Sequence, residues 1–183
     1  MRPSSHFTTL STMAAEENTG SGFDPIEESR RQWLAHGWDH AADGMTTVIS
    51  VMRIHQLFLA RVDAALKPFE LTFSRYEVLT LLSFTRAGTL PMSKISARLQ
   101  VHATSTTNSV DRLEKAGLVA RRSHPDDRRT TLVDLTDAGR DLAAQATTAL
   151  NAEVFSSPDF AGIDLDSLLP HLETLRSGLE AGS

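Results

Sequence analysis

Beyond residue 24, apolar residues recur at three- and four-residue steps over most of the chain, which predicts a mainly helical protein. Asp24, Pro25, Glu27 and Glu28 form a helix start, because a capping carboxylate, a preset φ and early acids all suit unpaired N–H groups. Gly37 ends that helix. Val48, Val51, Met52, His55, Phe58, Leu59, Val62 and Leu66 then predict a long helix from about Ala41 to Leu66, stopped by Pro68. Ser74 and Glu77 fit a capping box ahead of Val78, Leu79, Leu81, Leu82 and Phe84, with Gly88 closing this third helix. A short fourth helix is expected over Met92–Leu99, behind Pro91.

The next helix, predicted over His102–Ala116, divides into two faces. Ala103, Thr106, Val110 and Leu113 line a packing stripe, while Thr104, Ser105, Asn108, Ser109 and Arg112 occupy the other side. Gly117 supplies a left-handed stop. Two short extended runs, Leu118–Ser123 and Thr130–Leu135, flank a charged tip from His124 to Arg129, the pattern of a hairpin. Thr136 caps a sixth helix running from Asp137 to about Phe155, and Ser156, Ser157 and Pro158 break it. In a seventh helix, Leu165, Leu168, Leu172, Leu175 and Leu179 alternate steps of three and four, a narrow seam suited to a partner helix.

Charge changes the picture. The 183 residues carry a formal net charge of −5, which argues against a general polyanion binder. The stretch from Lys94 to Arg129 nevertheless carries +4, leaving −9 for the rest. A basic segment within an acidic scaffold is the footprint of a nucleic-acid reader. Residues 140–183 hold two basic and seven acidic residues, so this end repels DNA and suits subunit contact. The absence of Cys excludes disulfides, thiolate metal sites and thiol redox sensing. No long uncharged apolar run suggests a membrane span, and a cytoplasmic address is expected. Neither a nucleophile elbow nor a phosphate-binding glycine loop occurs, so neither an enzyme nor a cofactor is expected.

Two short helices followed by an arginine-tipped hairpin make a winged helix-turn-helix. The fold expected is mainly α with a small β-hairpin wing (α+β), between N- and C-terminal dimerisation helices. The organisation is a disordered leader (1–23), N-terminal dimerisation helices (24–70), the DNA-binding lobe (71–136) and C-terminal dimerisation helices (137–183). The second helix of the pair fits a major groove, and the wing reaches an adjacent minor groove. Candidate DNA contacts are Ser93, Lys94, His102, Thr104, Ser105, Thr107, Asn108, Arg112, Arg128 and Arg129. Arg121 and Arg122 are either phosphate contacts or exposed strand residues, while Asp111 and Glu114 are read as intrahelical neighbours of Arg112 and Lys115. His36 and His40 have metal-ligand spacing, but Gly37 interrupts the helix between them. The alternatives are a winged-helix protein-interaction module and a metal-responsive regulator.

The run Asp111-Arg112-Leu113-Glu114-Lys115-Ala116-Gly117-Leu118-Val119, then Pro125-Asp126-Asp127-Arg128-Arg129, then Leu135-Thr136-Asp137-Ala138-Gly139-Arg140 resembles the signature of the MarR family of bacterial regulators. The resemblance implies a homodimer with interleaved terminal helices, each subunit presenting one winged helix-turn-helix to half of a palindromic double-stranded DNA operator. It also implies that Asp127 pairs with Arg129 to hold the wing, with Arg129 reaching the minor groove, and that a small-molecule effector releases a repressor from DNA. Trp38, Arg53, His55 and Tyr76 are the candidate effector contacts, since aromatic, His and Arg groups suit a small aromatic or carboxylated ligand, and Leu165, Leu168, Leu172, Leu175 and Leu179 are the candidate dimer seam.

Overall fold

The computed structural model describes residues 23–127 and 129–182. The expected leader lies outside them apart from exposed Phe23, as does the expected DNA contact Arg128. The chain forms two compact units, one ending at His55 and the other starting at Gln56.

The first unit holds α1 (Pro25–Ala35) and the opening turns of α2 (Asp39–Leu66). Asp24 caps α1 by accepting from the Ile26 N–H at 2.9 Å. Gly37, at φ +76°, makes the left-handed turn that separates the two helices. Across that turn Arg30 pairs with Asp43 at 3.0 Å, and the Trp33 and Trp38 rings meet edge to face, 5.2 Å between centroids. Val48, Val51, Met52 and Ile54 of α2 are left exposed.

In the second unit, helices pack around one core. The last turns of α2 contribute Val62, Ala65 and Leu66, and a one-turn 3₁₀ segment (Lys67–Phe69) leads into α3 (Phe73–Ser83). There follow β1 (Thr89–Pro91), α4 (Met92–Leu99), α5 (Ala103–Lys115), β2 (Val119–Ser123), β3 (Thr131–Leu135), α6 (Asp137–Leu150) and α7 (Leu165–Ala181). Leu79 and Leu82 of α3, Ile95 of α4, Val110 and Leu113 of α5 and Ala146 of α6 are at most 1% exposed, so these four helices share their buried faces. The strands form an antiparallel sheet in the order β1-β3-β2, with Leu90 opposite Val133 and Arg122 opposite Leu132.

Several expectations need correction. The cap of α3 is Thr72, which is extended at φ −92°, ψ 161°, rather than Ser74; its hydroxyl is engaged with Ser74 Oγ and Arg75 Nε instead of a helix N–H. Gly88 does not stop α3, which has already ended at Ser83; at φ +66° it turns the chain into β1 instead. That strand was not expected, since three residues are too short to display an alternating pattern. Thr136 does cap α6, accepting from the Gly139 N–H at 3.0 Å while donating to the Gly117 carbonyl at 2.9 Å. Gly139 is required there for lack of space: a Cβ would sit 2.0 Å from the Leu118 carbonyl oxygen. No helix among the described residues is long and apolar enough to cross a membrane.

Candidate nucleic-acid interface

Helix α5 is thirteen residues long, and its two faces differ sharply. Thr106, Val110 and Leu113 are at most 1% exposed and anchor it in the core. Thr104, Ser105, Thr107, Asn108 and Arg112 all face outward. Two assignments change: Ala103 is exposed, and Ser109 turns inward, 9% exposed, with its hydroxyl 3.5 Å from that of Ser74. Ser109 lies one residue before Val110 and is carried inside by the breadth of the buried face. The exposed row offers hydroxyl, amide and guanidinium groups, the chemistry that meets base edges and phosphates.

Ser93 and Lys94 stand exposed on α4, and His102 is exposed at the N-cap of α5. A cleft of about 510 Å³ lies between α4, α5 and the wing, with Ser93, Thr107, Asp111, Arg121 and Arg129 among its walls. Gln100, in the left-handed region at φ +53°, ends α4 and turns the chain toward α5.

The wing is held by two different devices. At its tip, Asp127 accepts from the Arg129 backbone N–H at 3.0 Å and from the Thr130 hydroxyl at 2.8 Å. The Asp127–Arg129 pairing is thus made through the backbone, which leaves the Arg129 side chain exposed and without a carboxylate partner among the described residues. The Thr130 hydroxyl, the Arg129 N–H and, more weakly, His124 together hold the Asp127 carboxyl below its ordinary range, despite a small opposing effect of desolvation.

At the base of the wing, Arg121 of β2 is clamped to α5. Its Nη1 donates to Asp111 at 2.5 Å and Glu114 at 3.0 Å, Nη2 donates to the Thr107 carbonyl at 3.4 Å, and its backbone N–H donates to Glu114 at 2.9 Å. Arg121 is therefore a buttress rather than a free phosphate contact, and Asp111 and Glu114 serve the wing rather than their helix neighbours. Arg122 is also occupied, its Nε donating to Asp134 at 2.7 Å, while Thr89 donates to the same carboxylate from the other side. Asp134 thus ties all three strands together.

The consequence is electrostatic. The two acids of α5 share the Arg121 guanidinium, which cancels one of their two charges, whereas Lys94, Arg112 and Arg129 have no carboxylate partner among the described residues. Cations free of carboxylate partners therefore face outward from α4, α5 and the wing.

The other expected sites are placed differently. Tyr76 is 6% exposed and its hydroxyl lies 3.1 Å from Thr147 Oγ1, so it is a core residue and not an open effector contact. Trp38 carries the stacked His36 ring at 5.2 Å, and Arg53 and His55 are exposed on α2. The His36 Nδ1 lies 2.7 Å from the Gln32 carbonyl. Among the described residues no three His, Asp or Glu side chains gather as a metal would require. Leu165, Leu172, Leu175 and Leu179 are exposed along α7 and Leu168 is half-buried.

Residues 71–131 match the model of the MarR family. Among solved structures, Sco5413, a MarR family transcriptional regulator from Streptomyces coelicolor, is 43% identical, with 76% of this chain and 96% of that one covered and a TM-score of 0.68. CouR, a transcriptional repressor known bound to a 23-mer DNA duplex, is 26% identical over 69% of this chain and 89% of its own, with a TM-score of 0.63. The CouR of Rhodococcus jostii RHA1 is also known bound to p-coumaroyl-CoA, at 28% identity, 69% and 86% coverage and a TM-score of 0.58. The HTH-type transcriptional regulator YhbI of Bacillus subtilis (strain 168) is 33% identical over 85 residues, which is 46% of this chain and 54% of YhbI. The chain spans about half the length of the curated relatives it matches.

Proposed function

The chain belongs to the MarR family, and from that premise we propose that it is a cytoplasmic, homodimeric repressor that grips a palindromic DNA operator and leaves it when a small molecule binds. The observation that carries this reading is the division of α5. One stripe is locked in the core, and the other presents Thr104, Ser105, Thr107, Asn108 and Arg112 beside a wing tipped by Arg129. Asn108 and Arg112 read base edges; Ser93, Lys94, His102, Thr104, Ser105 and Thr107 hold the backbone; Arg129 and Arg128 reach the minor groove.

Dimerisation sets the spacing. Two recognition helices must stand about 34 Å apart to enter successive major grooves. The apolar residues left exposed on α7, with Leu172 and Leu175 at 45% and 40%, support a subunit seam there, and those exposed on α2 support a second contribution.

The test is a pair of titrations with Asn108→Ala and Arg112→Ala, on a duplex that the protein selects from random sequence and on an unselected duplex. The reading expects each substitution to cost about 1–3 kcal/mol on the selected duplex and much less on the unselected one. Equal losses on both would contradict base readout. The DNA-bound and ligand-bound structures of CouR favour this reading over a protein-interaction module.

A further inference from the structure

Two neighbouring arginines of β2 point to opposite faces of the wing, as alternation along a strand requires. Arg121 is held by Asp111 and Glu114 of α5, and Arg122 by Asp134 of β3. The second contact has an uncommon geometry. Arg122 stands opposite Leu132 and Asp134 opposite Ala120, so the pair runs diagonally across the ribbon rather than straight over it. It is a fork: Nε donates to Oδ2 at 2.7 Å and Nη2 to Oδ1 at 3.3 Å. From the other side the Thr89 hydroxyl donates to the same carboxylate, and β1 runs through Pro91 straight into α4.

A diagonal tie restrains what a ladder of backbone bonds leaves soft, which is twist. Strand pairs ordinarily cross at anything from about 10° to about 35°, most widely in two-stranded ribbons. β1 pairs only with Leu132, Val133 and Asp134 of β3, so from Thr131 to the tip the wing is such a ribbon. Arg129 follows the tip of that ribbon, roughly 10 Å beyond Leu132 at the usual strand rise. A swing of about 20°, inside the ordinary spread, carries it about 3.5 Å, one base-pair step along DNA.

The surroundings suit a restraint rather than a foundation. Leu90, Val119 and Val133, on the opposite face, carry the sheet's share of the core. Arg122 is 50% exposed and Asp134 29%. Removing the tie thus loosens the wing without opening the core.

We propose that Asp134 is a positioning residue of the wing: by joining Arg122 to Thr89 it fixes the distance along DNA between the groove read by α5 and the groove met by Arg129. The tether follows from the geometry above, and its consequence for DNA rests on reading the wing as a minor-groove contact. Two measurements test it. The chain has no cysteine of its own, so Arg98→Cys on α4 and Asp126→Cys at the tip, both exposed, give a pair of spin-label sites. Their separation is read by pulsed dipolar spectroscopy on labelled full chain diluted among unlabelled copies. The second measurement is affinity for a duplex selected from random sequence, with its A·T-rich flank in place, moved by one base pair, or replaced by G·C.

The wild type is expected to show one narrow separation and to lose about tenfold in affinity when the flank moves. Asp134→Ala broadens the separation by about 3 Å or more and cuts that penalty to below about threefold, while affinity for the G·C-flanked duplex stays at the wild-type value. Arg122→Gln, at a half-exposed position outside the core, does the same, and Thr89→Ser, which keeps the hydroxyl, retains both wild-type behaviours. An unchanged separation in Asp134→Ala and Arg122→Gln would overturn the tether. A broader separation with the flank penalty intact, or an equal loss on all three duplexes, would overturn the positioning role. A wild type indifferent to the flank, in a chain whose separations respond as described, overturns the minor-groove reading and leaves the tether standing.

Discussion

Replacing Arg121 with Ala separates positioning from direct DNA contact. The side chain is 23% exposed, and its partners Asp111 and Glu114 are 43% and 39% exposed. Each of the two hydrogen bonds to a carboxylate, screened by water at this exposure, is worth about 1 kcal/mol, and the 3.4 Å bond to the Thr107 carbonyl is too long to add much. The backbone bond from the Arg121 N–H to Glu114 survives the substitution. The expected loss is therefore about 2 kcal/mol, a fall in melting temperature of roughly 4–8 °C for a chain of this size. Operator binding should fall further than stability does, because two carboxylates on α5 are left unneutralised where phosphates approach. A triple variant, Arg121→Ala with Asp111→Asn and Glu114→Gln, removes those charges and should recover most of the affinity. Fluorescence anisotropy at several salt concentrations distinguishes the roles. A clamp leaves the salt slope of the triple variant near that of the wild type, whereas loss of a phosphate contact lowers it by about one. A triple variant as weak as Arg121→Ala, with the lower slope, would refute the clamp.

Four other outcomes are expected. Arg129→Ala should weaken operator binding by about 1–3 kcal/mol without unfolding the protein; unchanged affinity in a gel-shift titration would remove the wing from the interface. Gly139→Ala should cost at least about 2 kcal/mol, because the new methyl meets the Leu118 carbonyl and the Leu135 side chain; an unchanged thermal midpoint would show that α6 shifts freely. Leu172→Asp should yield monomeric or unfolded protein in light scattering, and a folded dimer would place the seam elsewhere. Burial raises the Glu77 carboxyl above its ordinary range, so its charged form costs stability at neutral pH, and this cost disappears as the pH falls below the ordinary carboxylate value. Glu77→Gln should thus melt higher than wild type at pH 7 and no higher near pH 3; a constant difference would sink that assignment.

The local parts of this fold were legible because their signals lie within a few residues. The faces of α5 follow from helical spacing, and the Thr136 cap and the Gly117 stop are each announced by one residue type in one position. Ser109 was misread because helical spacing places a boundary residue only to within one step. The clamp at Arg121 was not legible, since its acids lie seven and ten residues earlier across a turn whose geometry sets the pairing. Charge counting placed Asp111 and Glu114 against the basic surface, whereas the folded chain consumes them internally. Tyr76 looked like a pocket residue for its chemistry, but its place in α3 gives its hydroxyl to Thr147, seventy-one residues later.

Operator recognition by a dimer stands or falls on selection of duplexes from random sequence by this chain, followed by affinity measurement against salt. Enrichment of an inverted repeat with half-sites about 10 base pairs apart, bound by a dimer, is expected, with affinity falling steeply as salt rises. Enrichment of no sequence, together with an affinity indifferent to salt, would contradict it.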